Sequence, residues 1–332
     1  MQLGDAEREI DRLQPGARVT RVYLPSNAND PYIFQIRSAE DQTRRMVVDA
    51  SSGKVVGELK KVAWMDWLID LHRNVLTGKT GRKIVGFIGI LGVAMGVTGL
   101  LLWLFRGINW RTLVTIRNQP LLRFNFELHR VAGLWTLGYV VLLSLTGIVL
   151  AYPQTLRDAW QRMTGQPATV GIPKLAKSRV KQTKSLDEYL AVGRAALPDG
   201  VATELRVPEK AKDPVVVQFR RHGDLAQAGS NRVFLDPASS KVLVVDRAAD
   251  WTLGVWFFQS QQPIHYAEFG GLPVKILWSV LGVTPAVLFV TGLVVWWRPK
   301  NRKRRREAST ALQPGERSHS SETMLAARSM RG

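Results

Sequence analysis

Apolar positions along the chain follow two regimes that alternate twice. Residues 1–60 and 154–263 mix apolar and polar positions at short period. Between and after them lie three runs without a charged residue, at 84–105, 131–156 and 276–297. At a rise of about 1.5 Å per residue, each run can cross a hydrocarbon core of about 30 Å as a helix. A buried helix of a soluble protein rarely needs so long an uncharged run, so the pattern predicts three transmembrane helices.

Within the mixed regions the period identifies the elements. AEREIDRL (6–13) has a helical pattern ended by Pro15-Gly16, and VTRVYLP, YIFQIRS and RRMVVDA alternate as half-buried strands, with a hairpin turn at Ser51-Ser52-Gly53. Residues 61–83 are amphipathic, with Trp64, Trp67, Leu68 and Leu71 at helical spacing, as in a segment lying at a membrane interface. A basic connector containing Pro, Gly and Ser spans 170–184. SLDEYLAVGRAAL (185–197) then reads as a helix, with Ser185 as N-cap and Glu188 placed for a capping box. ATELRVP, PVVVQFRR, NRVFLD and KVLVVD follow as strands, and the aromatic stretch 251–269 leads through an interfacial segment (264–275) into the last run, where Pro285 predicts a kink.

The pattern repeats. His72 corresponds to His265, Gly78 to Gly271, Thr98 to Thr291, Gly99 to Gly292 and Trp103 to Trp296, without a gap. A partial third copy has LHR at 128–130 followed by LTG at 145–147. The mixed regions repeat as well: each has a helix, a Pro-Gly or Pro-Asp-Gly stop and strands, and VDASSGKVV matches LDPASSKVL. Residues 125–297 thus form a unit of LHR helix, soluble domain and second helix, whereas 1–105 has these parts without the leading LHR helix. A further span is therefore expected upstream, a genuine three-span chain being the alternative. No signal peptide is visible at the start.

Charge orients these parts. The net charge of +19 admits a nucleic-acid partner, but its placement argues against one. The loop 106–123 carries Arg106, Arg111, Arg117 and Arg123 with no acid before Glu127, and the tail after the last run begins RPKNRKRRRE. Positive residues this close to span ends mark the cytoplasmic side. The loop and the tail (298–332, expected to be disordered beyond its basic start) then lie inside, and both soluble regions lie outside.

There is no cysteine, which excludes disulfides, iron–sulfur clusters and thiolate catalysis and leaves five histidines as the metal-ligand candidates: His72, His129, His222, His265 and His319. His72 and His265 precede spans that both start outside, while His129 precedes one that starts inside, so a membrane thickness separates His129 from the other two. If the repeats pack about a pseudo-two-fold axis, His72 and His265 meet at the outer leaflet. Two imidazoles facing each other in an apolar slot suit a bis-histidine haem b, whose iron keeps no open position and favours electron transfer. His129 would take part in a second haem on the inner side, its partner coming from the expected leading helix. A helix-end histidine is more often a cap or an interfacial residue, and recurrence at matched positions is what sets these three apart. His222, in the turn RRHGD, and His319, in the tail, read as solvated. Arg73 and Arg130 either snorkel to headgroups or pair with haem propionates. The Thr-Gly pairs read as small residues for close helix packing, a cofactor contact being secondary. No His/Asp/Glu cluster has zinc spacing, and no hydrolytic motif or nucleotide-binding glycine loop is present.

The order domain, His, TG span, LHR, TG span, domain, His, TG span resembles the PepSY-associated transmembrane proteins over roughly residues 1–300. The resemblance implies a multi-pass α-helical membrane protein of the bacterial inner membrane with two small α+β PepSY-like periplasmic domains. It also implies similarity to haem-containing siderophore-iron reductases. By that resemblance His72 and His265 fall where periplasmic-side haem ligands lie, and His129 where an inner-side ligand lies. His265 departs from the pattern in being followed by Tyr266 rather than Arg. The implied partners are membrane lipid, a ferric siderophore or other periplasmic ferric complex docked near Trp67, Trp251, Trp256 and Phe257, and a cytoplasmic or quinol electron donor. The alternative is a non-enzymatic envelope protein whose PepSY domains bind or restrain a protease or another partner.

Overall fold

The computed structural model describes residues 2–27, 29–105, 110–117, 120–175, 184–210 and 212–311. Two compact units are present, one of Met1–Leu91 with Leu143–Ile276, the other of Gly92–Leu142 with Leu277 onward.

The first unit is built on a sheet. Helix α1 (Leu3–Leu13) precedes strands β1 (Arg18–Tyr23), β2 (Tyr32–Arg37), β3 (Thr43–Val48) and β4 (Val55–Glu58). Helix α6 (Leu186–Ala196) precedes β5 (Val201–Arg206), β6 (Val215–Arg220), β7 (Asn231–Leu235) and β8 (Val242–Asp246) in the same way. All neighbouring strands are antiparallel, and β1 pairs with β5, so one eight-stranded sheet runs β4-β3-β2-β1-β5-β6-β7-β8 through both α+β segments. The duplication extends to its irregularities. The register shifts between Val19 and Arg21 in β1 and between Ala202 and Glu204 in β5, and again at β3–β4 and β7–β8.

Alternation puts Val22, Phe34, Ile36 and Val48 of the first half and Leu205, Val217, Phe219 and Val233 of the second into one core. α1 adds Leu3, Ala6 and Ile10, and α6 adds Leu186, Tyr189 and Leu190. The two helices are tied together at a terminus. The Asp187 carboxylate of α6 accepts hydrogen bonds from the backbone N–H groups of Leu3 and Gly4 at 2.7 and 2.9 Å, satisfying donors that α1 leaves unpaired. Ser185 caps α6 by accepting from the Glu188 N–H, as its sequence position predicts, while the Glu188 side chain pairs with Lys184.

Among the described residues, three stretches are long and apolar enough to cross a membrane: α3 (Gly78–Phe105), α4 (Leu121–Ala151) and Glu268–Trp297, of 28, 31 and 30 residues. The third is two helices, α8 (Gly271–Leu281) and α9 (Thr284–Ala311). The chain breaks at Gly282 and Val283, and Pro285 sits in the first turn of α9, where a missing N–H costs little; the expected kink is thus a break one turn earlier. α9 continues to Ala311, into a basic stretch whose Lys, Arg and Glu are good helix formers. Three further helices serve the histidine-bearing region: α2 (Ala63–Asn74), and α7 (Leu253–His265) packed on α5 (Pro153–Thr164).

Candidate functional site

His72 lies in the last turn of α2, and His265 ends α7. Matched corners follow both. Val75 and Leu76 after α2, and Ala267 after α7, have positive φ, as do Gly78 and Gly271 where the next helix begins; Val75 and Ala267 are left-handed. A β-branched residue such as Val75 rarely accepts that conformation, so the first corner is strained. α7 is held firmly. Thr252 caps it by accepting from the Val255 N–H, and the absence of a side chain at Gly254 admits the indole of Trp160, which stacks on Phe257 and meets Phe258 edge-on.

This scaffold brings the two histidines together. Their ring centres are 6.1 Å apart with planes tilted by 33°. His72 is exposed and His265 half-buried. Burial, and secondarily the neighbouring His72, push the His265 imidazole down to about 4, which keeps it neutral at neutral pH. His265 Nδ1 lies 2.8 Å from the hydroxyl of Thr146 in α4, a threonine only 2% exposed. A Cβ at Gly147 would meet the ring at 3.6 Å.

His129, half-buried in α4, occupies the second unit. Its Nδ1 is 3.0 Å from the hydroxyl of Thr291, itself 4% exposed, and a Cβ at Gly292 would stand 3.2 Å from the ring. Nearby, buried Glu127 accepts from the Arg117 N–H and pairs with Arg123, which folds the basic loop back onto the start of α4. Arg130 donates to the Thr115 carbonyl and lies over the Phe126 ring.

Two of the Thr-Gly pairs are therefore histidine seats, with the threonine contacting the ring and the glycine lying against it, most tightly at Gly292. Reading them as packing residues missed this role; their recurrence with the histidines was the available signal. The third pair, Thr98-Gly99, is exposed, and Thr98 donates to carbonyls of its own helix. His222 is exposed in its turn, and His319 lies outside the described residues.

Among the described residues no three His, Asp or Glu side chains gather as a metal-ligand set. A two-histidine set is what an iron needs when a porphyrin supplies its other four nitrogens. The two rings that would supply its remaining ligands, His72 and His265, have centres 6.1 Å apart, which leaves room for a single metal ion between them. The aromatics expected near a substrate differ in their roles. Trp67, Trp256 and Phe257 are exposed, Phe257 also stacking on Trp160, whereas Trp251 donates its indole N–H to Asp246. A cleft of about 130 Å³ beside α7, lined by Asp224, Trp251, Trp256, Gln259 and Ser260, is smaller than the roughly 300–1,000 Å³ of small-molecule pockets.

The family model described as the PepSY-associated TM region matches residues 2–298 of this chain. The uncharacterized protein PA4219 of Pseudomonas aeruginosa is similar to it at 25% identity over 254 residues, covering 70% of this chain. The chain spans 63% of that relative's length.

Proposed function

The chain belongs to the family of the PepSY-associated TM region and is a multi-pass membrane protein with a sheet domain, and from that premise we propose that it is a haem-dependent reductase. In this reading it passes electrons across the bacterial inner membrane to a periplasmic ferric complex such as a ferric siderophore. The sheet faces the periplasm, and the Arg-bearing loop and basic tail face the cytoplasm and an electron donor there or in the quinol pool. His72 and His265 would hold a haem b on the periplasmic side, and His129 would serve an inner one. A haem ligated by two histidines supplies one-electron transfer without binding substrate at the iron. The protein's part is to present two imidazoles at fixed separation and to place a ferric complex on the open surface near Trp67 and Trp256.

The observation that carries the reading is the 6.1 Å approach of His72 and His265 at matched repeat positions. It is tested by the visible spectrum of the purified full chain after haem-replete expression and reduction. Split b-type haem bands are expected, with the outer haem lost in both His72→Ala and His265→Ala. A spectrum without haem bands sinks the proposal. One feature favours a partner-binding role instead: the outer strand β8 exposes Val242, Leu243 and Val244 along an unpaired sheet edge, a template for strand addition. A haem-free protein that still captures an envelope partner would decide for that alternative.

A further inference from the structure

We propose that Thr146 and Thr291 are positioning residues that hold His265 and His129 as the Nδ1–H tautomer, leaving Nε2 bare as the ligand nitrogen of each ring. The proposal rests on the haem reading for its consequence, but its geometry stands by itself.

Proton counting carries the assignment. A threonine hydroxyl has one proton and two acceptor lone pairs. In mid-helix that proton is normally given to a carbonyl one turn back. Thr146 lies 3.1 Å from the Leu143 carbonyl, and Thr291 lies 2.7 Å from that of Val287. Thr98, with no imidazole beside it among the described residues, makes the same backward bonds. With the proton so used, each hydroxyl faces the histidine as an acceptor, and Nδ1 is then the donor across the contacts of 2.8 Å at His265 and 3.0 Å at His129. A neutral imidazole has one N–H, so Nε2 carries the free lone pair.

The arrangement occurs twice, once in each unit, and is reciprocal in sequence. α4 contributes a threonine to the histidine that ends α7, and α9 contributes a threonine to the histidine of α4. Each seat also has a glycine directly after the threonine; a Cβ there would crowd the His129 ring at Gly292, at 3.2 Å, and just touch the His265 ring at Gly147, at 3.6 Å. Metal-ligating histidines characteristically donate their second nitrogen to an acceptor that fixes ring orientation and raises basicity. Here the acceptor is a hydroxyl that cannot titrate at neutral pH, so the tautomer is held without a buried charge.

The test is nitrogen NMR of the haem-free full chain with ¹⁵N-labelled histidine, followed by haem titration. Signals of a protonated Nδ1 are expected for His129 and His265. Thr146→Val and Thr291→Val should each convert one of them to a tautomer mixture, and Thr146→Ser should restore it. Haem affinity should fall about 10–100-fold in Thr146→Val and stay within a few-fold of wild type in Thr146→Ser. The midpoint potential should rise in the valine variant, because a less basic imidazole stabilises ferric iron less. Protonated Nε2 at both rings of the wild-type protein overturns the proposal, whether or not the variants fold. So does a folded Thr146→Val chain with unchanged tautomer, affinity and potential. A wild-type chain with the expected tautomers that takes up no haem upholds the threonine assignment and refutes the reductase reading.

Discussion

At the scale of single residues, His265 carries the sharpest consequence. Burial first and His72 second lower its protonation to about 4, against the ordinary value of about 6.5 that the unfolded chain shows. Between those values the unfolded state binds more protons than the folded one, so stability falls as the pH falls through that window. The haem-free full chain should therefore lose thermal stability progressively from about pH 6.5 to pH 4, and His265→Gln should flatten the decline over that interval. Superimposable pH curves for the two proteins would refute the burial argument. The histidine itself was legible in the sequence because it recurs at a matched position. Its partner was not. Thr146 and His265 lie on different helices with a whole soluble segment between them, and no sequence period fixes the register of α4 against α7.

Helices and strands show the same division. The three uncharged runs and the alternating strands are local patterns and announced their elements, down to the Ser185 cap. Which face of a glycine-rich span meets another was not readable, because Gly86, Gly89, Gly92, Gly96 and Gly99 all fit a small-residue stripe in α3. The structure separates them. A Cβ at Gly86 would stand 2.4 Å from the Tyr152 ring and 2.7 Å from the Ala151 Cβ, where α4 ends and the Tyr152 hydroxyl donates to the Lys83 carbonyl. Gly138 of α4 has nothing within 4 Å. Gly86→Leu is expected to cost roughly 1–3 kcal/mol through overpacking, whereas Gly138→Ala gains helix propensity and leaves stability equal or slightly higher. Detergent-solubilised unfolding midpoints of the two variants check this, and equal effects would remove the close approach of α3 to the end of α4 as its cause.

For the molecule as a whole, duplication was legible, but the way the two halves join was not. Each half is a four-stranded meander with an outer strand whose unpaired groups invite pairing. Joining β1 to β5 satisfies both edges at once, a contact between residues some 180 positions apart that local pattern cannot anticipate. The seam has a cost that the sequence also conceals. Arg21 stands opposite Arg206 in the ladder, and like charges so placed repel. Glu204, 3% exposed, resolves this by pairing with both guanidiniums, its contact with Arg21 being 3.0 Å, while Gln218 accepts from Arg206 at 2.8 Å. Glu204→Met should thus destabilise the sheet by roughly 1–3 kcal/mol, since both arginines are partly solvated and keep some hydration. The triple change Glu204→Met, Arg21→Met, Arg206→Met should recover part of that loss, because replacing the whole charged group is milder than stranding two of its members. Denaturant unfolding of the full chain, followed by the sheet signal, measures both. A triple variant no more stable than Glu204→Met would show that the seam is held by its backbone ladder and apolar core, and that Glu204 does not serve as the clamp between the two halves.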